Sequence, residues 1–91
     1  MPSYFVETYL SRTRPGELAA CEQRARSAAE ELTREQTSVH FERSIHIPED
    51  ETCFFVFQAA TSGDAALVAE LARLNPIRIV EVVSSGPEAA A

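Results

Sequence analysis

Val39-His40-Phe41-Glu42-Arg43-Ser44-Ile45-His46-Ile47, then Pro48-Glu49-Asp50-Glu51, then Thr52-Cys53-Phe54-Phe55-Val56-Phe57-Gln58: this stretch decides the architecture. Its first part alternates. Val39, Phe41, Ile45 and Ile47 form an apolar phase, and His40, Glu42, Ser44 and His46 form a polar one. Period two with one polar phase describes a half-buried strand. Arg43 interrupts the apolar phase, which marks a sheet edge or a bulge. Pro48 to Glu51 is a hairpin-type connection. The run from Thr52 to Gln58 is apolar on both phases, as a central strand covered on both faces must be.

Reading onward, Thr61-Ser62-Gly63-Asp64 opens a helix, with Ser62 expected as its N-cap. Ala65, Val68, Leu71 and Ala72 are its expected inner stripe, and Asn75-Pro76 ends it. Ile77 to Val83 is a last strand. The small, polar tail over 84–91 is expected to be disordered, leaving 1–83 as one domain. Reading backward, Pro15 to Arg34 is a helix. Leu18, Cys21, Ala25, Ala28 and Leu32 recur at helical spacing, and Glu22/Arg26 and Glu30/Arg34 are spaced for i,i+4 pairs. Tyr4 to Leu10 is aromatic and β-branched, hence a first strand. Tyr4, Val6, Thr8 and Leu10 share one side of it; Phe5, Glu7 and Tyr9 share the other.

The order is β-α-β-β-α-β. Right-handed crossovers leave few arrangements for it, and the common one is the ferredoxin-like α+β sandwich. There, two helices cover one face of a four-stranded antiparallel sheet, with the first and third strands central. The opposite face carries aromatic residues and calls for a cover. A second copy pairing as a dimeric α+β barrel, or a small apolar molecule, would supply it.

The totals narrow the function classes. The 91 residues make one domain and carry a net charge of −6, with arginine as the sole basic residue type. A chain of this size buries only about 60–65% of its unfolded surface, which favours pairing with a second copy. An acidic surface repels phosphate backbones and anionic lipid, so neither nucleic acid nor membrane is an expected partner. No apolar run approaches the roughly 18 residues that span a bilayer. No secretory leader pattern opens the chain, and Cys21 and Cys53 lack metal-type spacing. Free thiols in a cytoplasmic setting are expected.

Two constellations could carry chemistry. His40, Glu42 and His46 lie at i, i+2 spacing, roughly 6.5–7 Å apart per step on one strand face. They are candidate ligands for a divalent metal. The plain alternative is a wetted edge strand, and a bulge at Arg43 would reverse the phase of His46. Glu7 stands among Phe5, Tyr9, Phe54 and Val56, and these five are candidate ligand-binding residues. Glu7 is either a general base or ligand there, or the partner of an arginine such as Arg43 or Arg78. The aromatic run of the third strand invites comparison with RNA-recognition modules. Glu51 and Thr52 stand where that module has basic and glycine positions. No glycine-rich phosphate loop is present.

Four stretches together resemble a family of short ferredoxin-like domains of unknown function described as nickel-binding. They are Tyr4-Phe5-Val6-Glu7, Val39 to Ile45, Thr52 to Ala59, and Ile79-Val80-Glu81-Val82. The resemblance implies the ferredoxin-like fold, a paired-subunit habit and nickel as a cofactor. It departs where that family has histidines. The first helix here has none, and the second reads Val68-Ala69-Glu70-Leu71-Ala72-Arg73. Any nickel would need His40, Glu42 and His46 instead. The expectation is a homodimeric binding protein taking a small ligand or divalent metal on the open sheet face. The alternative is a cofactor-independent enzyme of the dimeric α+β barrel type, monooxygenase- or isomerase-like, with Glu7 and His40 as acid/base groups.

Overall fold

Strand β3, Thr52–Ala59, lies inside the sheet because both of its phases are apolar. Strand β2, Val39–Ile47, pairs with one side of it, and strand β1, Ser3–Tyr9, with the other. Strand β4, Arg78–Val82, lies on the far side of β1. All pairings are antiparallel, and the order β2-β3-β1-β4 is that of the ferredoxin-like sandwich. This is a computed structural model, and it describes residues 1–14 and 16–83. The tail expected over 84–91, and Pro15 at the expected start of the first helix, lie outside the described residues.

Helix α1, Gly16–Arg34, turns Cys21, Ala25, Ala28, Ala29 and Leu32 inward. Small side chains let it lie close against Phe41, Phe55 and Phe57. Two devices end it. The amide of Thr37 donates to the Leu32 carbonyl at 2.8 Å, with Gln36 in the left-handed region at φ 77°. The Thr33 hydroxyl bonds both backbone groups of Val39, tying the helix end to the start of β2.

The i,i+4 ion pairs expected along α1 do not form among the described residues. Glu22 instead accepts a hydrogen bond from the Ser44 hydroxyl on β2. Arg24 reaches across to the Ala72 carbonyl at 2.9 Å, satisfying an acceptor left open at the end of the second helix.

That helix, α2, runs Ser62–Leu71. Its N-cap is Thr61 rather than Ser62: the Thr61 hydroxyl accepts from the Asp64 amide at 3.1 Å. Its buried residues are Ala65, Val68 and Ala69, and Ala72 and Leu74 continue the inner side. The expected inward Leu71 is 41% exposed. Ala65, Val68, Ala69 and Ala72 follow the i, i+3, i+4, i+7 stripe, and Leu71 falls off it.

A bulge in β2 corrects the expected alternation. Phe41 pairs with Phe57 and Arg43 with Val56, leaving Glu42 as an extra residue. One inserted residue exchanges the two faces for everything beyond it. Val39 and Phe41 therefore face the helices, whereas Ile45 and Ile47 share the other side with Arg43. Ser44 and His46, expected on the polar phase with His40, turn toward the helix side instead. Both readings of Arg43 hold, since β2 is an edge strand and is bulged.

Candidate functional site

Both helices pack on one face of the sheet, with Tyr4, Val6, Leu10, Cys53, Phe55 and Phe57 beneath them. The other face is the candidate site. Register sets its rows, taken from β4 across β1 and β3 to β2. One row is Val82, Ser3, Gln58, His40; the next is Val80, Phe5, Val56, Arg43; the third is Arg78, Glu7, Phe54, Ile45. At the end of the sheet Tyr9, Thr52 and Ile47 form a shorter row. An apolar band therefore runs through Val80, Phe5, Val56, Phe54 and Ile45. The rings of Phe5 and Phe54 lie 5.4 Å apart on a diagonal between strands. They and their neighbours leave Val56 only 2% exposed, although it stands apart from the helix-side core.

Polar groups bracket this band. On one side the Arg78 Nε donates to Glu7 Oε1 at 2.7 Å, and the amide of Ile77 bonds the Glu7 carbonyl at the same distance. Of the two arginines weighed for Glu7, Arg78 is the partner. The neighbouring register position on β4 brings it there. On the other side the Gln58 amide donates to Glu42 Oε1 at 3.2 Å, and Arg43 stands 3.9 Å from the same carboxylate.

The five ligand-binding candidates do share one face. Phe5, Glu7, Phe54 and Val56 form a contiguous group, whereas Tyr9 lies at its end, 63% exposed, with its hydroxyl 3.5 Å from Glu51 Oε2. Three further contributors, Ile45, Val80 and Val82, escape the reading of the sequence. Ile45 is hidden by the bulge, for which Arg43 was the available signal. The valines need the β1–β4 register, which no local pattern carries.

The metal candidates are not brought together. His40 is exposed opposite Gln58, and Glu42 bonds that glutamine, but His46 stands opposite Cys53 on the helix side. The bulge between them puts the two imidazoles on opposite faces. No group of three His, Cys, Asp or Glu side chains among the described residues is placed to hold an ion.

Both cysteines are free and buried. Burial, then charge on Cys21, then the Glu22 carboxylate push the Cys53 thiol up from 9.0 to about 11. Such a thiol stays protonated and unreactive near neutrality. No helix among the described residues is long and apolar enough to cross a membrane.

No family model, curated protein or solved structure matches the chain. The fold and the face define a class on their own: a ferredoxin-like α+β domain with one side of its sheet uncovered by any described element.

Proposed function

We propose that the chain is a small binding protein that acts as a homodimer. Two copies pair sheet face to sheet face and hold a small apolar molecule between them. One observation carries this reading: the apolar band Val80–Phe5–Val56–Phe54–Ile45 lies on the face opposite both helices. Phe5, Ile45, Phe54 and Val80 are each partly exposed, and contiguous apolar surface rimmed by polar groups marks interaction sites. A second copy suits it because the rim holds both signs, Arg78 with Glu7 and Arg43 with Glu42. A two-fold pairing needs such a self-complementary surface.

An apolar guest is favoured over a divalent metal because His46 faces away from His40 and Glu42. A binding role is favoured over the monooxygenase- or isomerase-like alternative because Glu7 is already held by Arg78. That pair gives Glu7 a structural role at the edge of the apolar band.

Sedimentation equilibrium of the whole chain is the test, with Nile red as the uncharged apolar probe. The wild type should sediment as a dimer and enhance the dye's fluorescence. Phe54→Asp should yield a folded monomer that does neither. A wild type that stays monomeric at high micromolar concentration overturns the reading.

A further inference from the structure

The exchange of faces at Glu42 sends His46 to the helix side of the sheet. Its Nε2 is buried and has no hydrogen-bond partner. An unpaired buried ring nitrogen is costly, and native proteins nearly always supply it with a partner. The side chain lines a cleft of about 300 Å³ between the β1–α1 loop and the end of β2. Leu10, Leu18 and Pro48 give this cleft an apolar surface, and Ser11, Arg12 and Arg14 complete its lining.

Charge points to the kind of guest. In a chain of net charge −6, two guanidiniums and an imidazole share one small space. The Arg12 side chain makes no ion pair among the described residues. Arg14 meets Glu17 through its Nε at 3.1 Å, and a guanidinium has further donors to offer. The other nearby acid, Glu51, is occupied by the Arg12 amide and the Tyr9 hydroxyl.

We propose that this cleft binds a small organic anion. Its carboxylate or phosphate accepts hydrogen bonds from the guanidiniums of Arg12 and Arg14 and, once the imidazole turns toward the cleft, from His46 Nε2–H. Its apolar body packs on Leu10, Leu18 and Pro48. The site is on the helix side of the sheet, independent of the open face and of dimerisation.

The test is a titration of the isotope-labelled whole chain, following the ring signals of both histidines by NMR. The probes are benzoate, phenyl phosphate and the neutral benzamide. Benzoate or phenyl phosphate should move the His46 signals saturably, and the stronger of the two identifies the anionic group. Benzamide should not move them, and His40, on the opposite face, should stay still. His46→Gln assigns the signals. Arg12→Ser with Arg14→Ser removes both guanidiniums and should weaken binding roughly tenfold or more, the equivalent of at least one charge-assisted hydrogen bond. The proposal is overturned if neither anion moves His46, if benzamide moves it equally, if His40 follows it, or if the double variant binds as tightly as wild type.

Discussion

On the helix side of β3, Phe55 and Phe57 are 1% and 0% exposed. On the other side of the same strand Phe54 is only half-buried, although it touches Phe5 and adjoins Val56. The residue types match, and the difference lies in what covers them. Two helices lined with alanine close over one side. The other side has only its own neighbours, enough to hide Val56 but not the rings around it. A single chain completes one core and begins a second, and the second is where a partner or guest gains most from binding.

The widest separation between the faces should appear on truncation. Phe57→Ala should cost about 3–5 kcal/mol in urea unfolding, the range for removing a buried ring. Phe54→Ala should cost less than half as much in the monomer. Equal losses at concentrations where the chain is monomeric would break the comparison by showing that the open face is covered within one chain.

A smaller effect sharpens the same contrast through pH. Well below pH 9.0 the Cys53 thiol is protonated in both folded and unfolded chains and makes no difference to stability. Between 9.0 and about 11 the unfolded chain loses this proton while the folded chain keeps it, so stability falls as pH rises. At about 1.4 kcal/mol per pH unit the loss reaches about 3 kcal/mol at most. Urea midpoints measured across this window should drop in the wild type and drop less in Cys53→Ala. Parallel curves would show that Cys53 is not sealed beneath the helices.

The smallest effect belongs to the open side. Glu7→Gln weakens a partly exposed ion pair and should cost no more than about 1 kcal/mol, less in high salt. A loss as large as that of Phe57→Ala would place Glu7 in a buried setting instead.

Much of this contrast was legible in the residues. The doubly apolar run Cys53 to Phe57 announced a central strand, and the alternation of β1 sorted Tyr4, Val6 and Thr8 from Phe5 and Glu7 correctly. The candidate site was legible only in part. His40, Glu42 and His46 look equivalent by spacing, yet one extra residue at Glu42 divides them between faces. Ser62 and Thr61 are both able caps, and the backbone geometry before Asp64 selected Thr61. Glu22 had Arg26 at the right helical spacing but bonds Ser44, because β2 passes beside α1.

Periodicity by itself determined which segments are helices and strands, their order and the sandwich they form. Those properties follow from which side of each element is apolar, and that is written locally. Tertiary structure alone decided where β2 changes phase, that Arg78 rather than Arg43 meets Glu7, and that His46 is left with a buried, unpartnered nitrogen. Each of these depends on register between segments distant in the chain, 71 residues apart for Arg78 and Glu7. Register is settled by packing the whole sheet at once, so no local stretch of residues contains it.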